Sequence, residues 1–235
     1  GIAFDPPASR MREYIQALKA IFDCWQHGSP MDFDGRFYKH TLMTPMFDPG
    51  PNPHGIPPVL LGALGPRMTE VAGEVADGLI VHPFNSMRFL ENNAMPAVLR
   101  GLEKSGRQRT DFILQINAIV ITGETEEAIS AATESVKGLL GFYASTPAYR
   151  PPMEAVGYED LQPELNALSK QGKWDALGSY IDDDFLEHFT TRGAPSEIAA
   201  KLKDKYGQYA DRLAIYAPYA APDDMWRKII AELKN

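Results

Sequence analysis

The stretch Pro57-Pro58-Val59-Leu60-Leu61-Gly62-Ala63-Leu64-Gly65-Pro66-Arg67-Met68 begins as an apolar run, ends that run on glycine, and then sets proline at the head of a helical pattern. The pattern continues through Thr69, Glu70, Val71, Ala72 and Val75 and breaks at Asp77-Gly78. A second apolar run, Leu79-Ile80-Val81, then leads into His82-Pro83-Phe84. This order predicts strand, tight turn, helix, tight turn, strand: a βαβ unit with a short crossover. Proline suits the first helical position, where an N–H would have no partner, and glycine lets another group approach the backbone closely. Gly65-Pro66 therefore marks a helix N-terminus at the C-terminal end of a strand. Its free N–H groups and positive dipole end, with Arg67 beside them, suit an anion or the polar edge of a cofactor.

Upstream of this unit, residues 44–58 carry six prolines and two glycines and read as an irregular loop. Before that loop, Asp34-Gly35 between aromatic-rich arms predicts a hairpin over 31–40. Met11, Tyr14, Ile15, Leu18, Ile21, Phe22 and Trp25 fall at helical spacing, and residues 1–10, with Pro6 and Pro7, read as a loop. Downstream, Met87 to Gly106 reads as helix, kinked or restarted at Pro96. Phe112 to Thr122 is a strand, and Gly123-Glu124-Thr125-Glu126-Glu127 starts a helix that runs toward Phe142-Tyr143. An insertion over 144–192 follows, rich in proline and aromatics to residue 160 and then polar and helical to about Thr191. Gly193-Ala194-Pro195 starts another helix, Arg212 to Tyr216 is the last strand, and Asp224 to Leu233 is the closing helix. Alternating strands and helices predict a parallel sheet covered by helices, with residues 1–235 forming a single domain.

Composition narrows the function. A formal net charge of −8 without a Lys/Arg cluster argues against a nucleic-acid surface. No apolar run approaches a membrane span, and no leader pattern is seen at the start, so a cytoplasmic protein is expected. Cys24, the single cysteine, rules out an internal disulfide and reads as a packed small hydrophobe. The five histidines show no metal-ligand spacing, and Asp182-Asp183-Asp184 reads as a solvated helix start, so no metal is expected. Nucleophile-elbow and Walker-type patterns are absent from the sequence.

Several stretches together resemble the luciferase-like monooxygenase superfamily: Arg10-Met11-Arg12-Glu13-Tyr14, the hairpin Phe33-Asp34-Gly35-Arg36-Phe37-Tyr38, and the run from Pro58 to Phe84. Within it, Leu61 to Met68 followed by Ala72-Gly73-Glu74-Val75-Ala76-Asp77-Gly78 looks most like the branch that uses the deazaflavin coenzyme F420. Phe142 to Tyr149 and Asp160 to Leu165 resemble one subgroup of that branch. The resemblance implies a (β/α)8 TIM barrel, which takes about 250 residues in full. Only four barrel strands are counted here, which by resemblance are strands five to eight. The chain is thus expected to be the C-terminal part of a barrel, with roughly 100 residues of the fold supplied ahead of Gly1. Part of the cofactor pocket and the acid/base groups of the early loops would come from those residues. Half a barrel exposes sheet edges, so a homodimer or larger homo-oligomer is expected.

The resemblance also assigns candidate residues. Gly62, Ala63, Leu64, Gly65, Arg67 and Met68 match the strand-five loop that lies along the cofactor, the alternative being a purely structural turn. For Arg67 the alternative is a salt bridge to Glu70 or Glu74. His82 matches a position facing the substrate side of the ring, where it can donate a proton to a carbonyl or imine, and otherwise it is a structural histidine. Phe84 follows His82 as a pocket residue, and Tyr143 and Tyr149, with Arg150, lie where the family lines or lids the substrate pocket. Tyr216 ends the last strand and reads as core or rim packing, the alternative being a reach to the pocket mouth, and His40 and His54 read as loop residues. The activity implied is hydride transfer between F420 and a small, neutral organic substrate. Alternatives are an FMN-dependent monooxygenase and a catalytically silent barrel fragment acting as a binding or structural protein.

Overall fold

A computed structural model describes residues 5–234, which fall into two compact units. The first runs to Leu79 and again from Met95 to Ile113; the second holds Ile80–Ala94 and the chain from Leu114 onward.

The first unit begins with helix α1 (Pro7–His27). The helix starts inside the segment expected to be loop, because Pro7 occupies its first position with φ already set for the turn; residues 1–4 of that segment lie outside the described residues. Gly28 ends the helix in the left-handed conformation, φ 70°, and its N–H donates to the Cys24 carbonyl. The expected hairpin is present but short: β1 (Phe33–Asp34) and β2 (Lys39–His40) pair antiparallel. The Glu13 carboxylate of α1 holds its turn by accepting the Phe37 and Tyr38 amides at 2.5 and 2.8 Å.

The central unit forms as read: β3 (Leu60–Ala63), α2 (Pro66–Val75) and β4 (Gly78–Val81). Asp77, which breaks the helical pattern, sets the register of the strands. Its carboxylate accepts the Val59 amide at 2.7 Å, its own amide donates to the Val59 carbonyl at 2.8 Å, and its carbonyl accepts the Ile113 amide at 2.9 Å. Helix α4 (Met95–Ser105) packs on α2 at backbone distance. A Cβ on Gly73 would strike the Val98 carbonyl, and one on Gly101 the Glu70 carbonyl. Arg107 closes the C-terminal end of α2, donating to the carbonyls of Gly73 and Ala76.

In the second unit, Ser86 caps a single turn, α3 (Met87–Phe89), which continues as a π turn over Leu90–Ala94. Pro96 cannot donate to the helical ladder, and the wide turn lies just ahead of it. The long strand β5 (Ile113–Ile121) pairs in parallel with β6 (Thr190–Arg192) and β7 (Arg212–Tyr216). β6 corrects the sequence reading, in which helix ran to about Thr191: three residues are too few to show a period-two pattern. Asp211 does for β7 what Asp77 does for β4, accepting the Leu114 amide at 2.7 Å and donating to the Leu114 carbonyl.

Helix α5 (Glu126–Ser145), capped by Thr125, lies over β5. The insertion then folds as α6 (Arg150–Glu154), α7 (Leu161–Lys170) and α8 (Asp183–Phe189), with 3-10 turns at Pro147–Tyr149 and Trp174–Tyr180. Asp182 of the acidic run caps α8 through the Phe185 amide, as a helix start should. Helices α9 (Pro195–Tyr206) and α10 (Asp223–Lys234) complete the unit. Its core joins Ile119 and Ile121 of β5 to Val136 and Leu140 of α5 and to a stack of Phe84, Phe185 and Phe189. The Phe84 and Phe189 rings lie 4.5 Å apart and within 6° of parallel. Among the described residues no helix is long and apolar enough to cross a membrane.

Candidate functional site

Two clusters carry the sequence-assigned residues, one in each unit. In the first unit, β3 ends at Ala63 and α2 begins at Pro66, so Gly62 to Met68 run from the end of the strand through the Leu64-Gly65 turn into the first turn of the helix. Gly65 is the N-cap and offers no side chain, and Pro66 has no N–H, so the Arg67 and Met68 amides stand at the helix N-terminus without a side-chain cap. Gly62 and Gly65 are exposed, and a Cβ at either would meet no atom of the described residues. Neither has a positive φ. Backbone conformation therefore does not demand glycine at these positions, and the space above them is free for a flat group to lie against the chain. The turn forms one wall of a cleft of about 670 Å³, with Pro7, Ser9 and Arg12 of α1 opposite Gly65, Arg67 and Met68.

Arg67 is exposed and makes no ion pair with Glu70 or Glu74, which overturns the salt-bridge alternative. Both carboxylates are already engaged: Glu74 by Arg12 at 2.8 Å, and Glu70 by Arg100 and Lys104. Among the described residues Arg67 is thus a guanidinium without a partner, beside two amides without a partner at the positive end of a helix. That set of donors fits a phosphate or carboxylate of a cofactor, and the open glycines fit its planar ring.

In the second unit, His82 stands at the C-terminal end of β4, half-buried against two tyrosines. Its ring centroid is 5.1 Å from that of Tyr143, at the end of α5, and 4.6 Å from that of Tyr149, in the turn that follows. The Phe84 amide donates to His82 Nδ1 at 3.1 Å. Burial pushes the imidazole below its ordinary pKa. Burial first, then a hydrogen bond to Tyr216, then the neighbouring Tyr149 push Tyr143 well above the ordinary tyrosine value.

The fold therefore brings His82, Tyr143 and Tyr149 into one group and adds Tyr216 from the end of β7. For Tyr216, which ends the last strand, the structure favours the pocket-mouth alternative over core or rim packing. Phe84 is fully enclosed and lies beneath Tyr143 and Tyr149, so it supports the wall and does not line it. Arg150 is held by Glu154 at 2.9 Å. His40 ends the hairpin and His54 lies exposed in the proline-rich loop.

Parallel strands followed by helices, with ligand-ready groups past the strands' C-terminal ends, define the α/β-barrel class. Within that class the chain belongs to the luciferase-like monooxygenase family, whose model matches residues 1–212. An uncharacterized protein of Mycobacterium tuberculosis is 45% identical over 207 residues, which cover 88% of this chain and 61% of that protein. The coenzyme F420-dependent tetrahydromethanopterin reductase of Methanopyrus kandleri superposes with a TM-score of 0.71 at 21% identity, over 94% of this chain and 61% of that one. EDTA monooxygenase of Chelativorans sp. does so with a TM-score of 0.64 at 13% identity, over 99% and 60%. The fold is thus that of the luciferase-like barrel enzymes, and the chain spans about three-fifths of the length of these proteins. Proteins similar to it include F420-dependent reductases and monooxygenases.

Proposed function

We propose that this chain takes part in hydride transfer between coenzyme F420 and a small, uncharged organic substrate. Arg67, without a partner among the described residues, beside the uncapped N-terminus of α2 and the open backbone of Gly62 and Gly65, carries the reading. Gly62, Ala63 and Leu64 would lie along the ring through their backbone, and Gly65, Arg67 and Met68 would hold an anionic group of the tail. When bound, the deazaflavin supplies the carbon that accepts or donates hydride. The chain's own residues would bind and orient: Arg67 would pair the anion, and, in the second unit, His82, Tyr143 and Tyr149 would form a substrate wall with Phe84 excluding water beneath it. The F420-dependent reductase among the structural neighbours supports this choice of cofactor. The likeness to EDTA monooxygenase favours FMN as the second reading.

A fluorescence titration of the 235-residue chain with F420 and, separately, FMN tests the proposal. Saturable F420 binding at micromolar concentration or tighter is expected. Arg67→Ala should weaken it by about tenfold, the worth of one charge-assisted contact. FMN binding alone would replace the proposal with the monooxygenase reading, and binding of neither would end it for this chain.

A further inference from the structure

We propose, resting on the substrate-wall reading above, that His82 is a fixed, neutral hydrogen-bond donor. Together with the Tyr143–Tyr216 hydroxyl pair it selects the oxygen of an uncharged ketone, aldehyde or alcohol over a carboxylate. The tautomer follows from one contact. Nδ1 accepts the Phe84 amide, and an atom that accepts from an N–H carries no proton of its own, so the single ring proton sits on Nε2. Phe84 is fully buried and stacked on Phe189, which fixes the donor amide two residues from the ring it orients. Tyr143 and Tyr149 hold the imidazole from the two elements packed against it. The chain gives Nε2 no partner among the described residues, and that atom is not sealed from solvent. An N–H in that state is available to a ligand.

The same contact decides what His82 does not do. Protonating Nδ1 would break the Phe84 bond, and burial opposes the charge as well. A neutral imidazole that gave up its Nε2 proton would become an anion, so His82 polarises an acceptor and is not the proton source the sequence suggested. The groups facing it are Tyr143 from α5, Tyr149 from the following turn, and Tyr216 from β7 through Tyr143. Each presents a phenol ring and hydroxyl and no carboxylate or ammonium. Arg150 and Glu154, the charged side chains following Tyr149, neutralise one another. A carboxylate brought to this wall would lose its water and, among the described residues, meet no unpaired cation, whereas a carbonyl or hydroxyl oxygen needs only the N–H and O–H donors present.

The test uses the cofactor-free 235-residue chain with acetophenone and benzoate as probes, of similar shape but different charge. Long-range 15N NMR at pH 7 should show His82 with a protonated Nε2 and an unprotonated Nδ1. Acetophenone should shift the Nε2 signal, and benzoate should not. His82→Phe, which keeps the ring packing, should weaken acetophenone binding by about tenfold, while His82→Gln, which keeps an N–H donor, should stay within about threefold of the parent. A protonated Nδ1, an imidazolium at pH 7, benzoate bound as tightly as acetophenone, or equal loss in both variants would each overturn the inference. The NMR result does not depend on F420, so the inference and the cofactor reading can fail separately.

Discussion

Lys205 shows how much one residue's surroundings can change its chemistry. Its ammonium, on α9, donates to the Thr190 carbonyl at 2.8 Å and reaches the Glu187 carbonyl at 3.5 Å, where α8 gives way to β6. Burial pushes it down to about 8. Between that value and the ordinary lysine value the unfolded chain holds a proton that the folded chain has released. Stability from this group therefore rises as pH climbs through that window and is least below it. Tyr143 and Tyr206, whose burial raises them (Tyr206 to about 12), act the opposite way above pH 10, because there the folded chain keeps the protons. Urea midpoints at pH 7.5 and 9.5 should show the parent gaining on the order of 1 to 2 kcal/mol, and Lys205→Met should flatten the gain. Equal slopes would show that Lys205 titrates as an exposed lysine does. Arg67 marks the limit of sequence reasoning at this scale. Its place at the helix start was legible, but its freedom was not. The groups that occupy Glu70 and Glu74 come from Arg12, Arg100 and Lys104, far away in sequence.

At the scale of elements, the contact between α2 and α4 is the tightest test of the first unit. Gly73 and Gly101 let the two backbones touch, and a Cβ on either would strike main chain that no side-chain rotation can clear. Gly101→Ala should therefore destabilise the protein despite alanine's better helix propensity, by about 1 to 3 kcal/mol of overpacking. A urea midpoint equal to or above the parent's would show that the helices can part at little cost. Gly138, on α5, is the control: a Cβ there meets nothing, so Gly138→Ala should be neutral or stabilising. The starts of α2, α5 and α9 and the strands β3, β4, β5 and β7 were legible because proline, glycine and apolar runs act locally. The three-residue β6 and the π turn at Leu90–Ala94 were not, because pairing with β5 defines the one and the missing Pro96 donor accompanies the other.

For the whole molecule, a parallel sheet covered by helices was legible in the βα order, while the barrel came from the family resemblance, which agrees with the family match over residues 1–212. The aromatic group around His82 could be named residue by residue, yet its tautomer could not, since a backbone amide sets it. Ligand linkage turns the cofactor reading into a property of the entire chain. A ligand that binds only the folded state stabilises it by RT ln(1 + [L]/Kd), about 2.7 kcal/mol at one hundred times Kd. For a chain of 235 residues that corresponds to a rise in melting temperature of roughly 5 to 10 °C. F420 should produce this rise in differential scanning calorimetry, and FMN at the same concentration should leave the transition within about 1 °C of the ligand-free scan, as expected well below its Kd. Arg67→Ala should lower the F420 response by about 1 kcal/mol at fixed concentration, because a tenfold weaker Kd reduces the logarithm by that amount. An equal shift with FMN would point to a site that accepts flavins generally. An unchanged F420 shift in Arg67→Ala would move the anion contact away from the α2 N-terminus while leaving the glycine turn as the place where the ring lies.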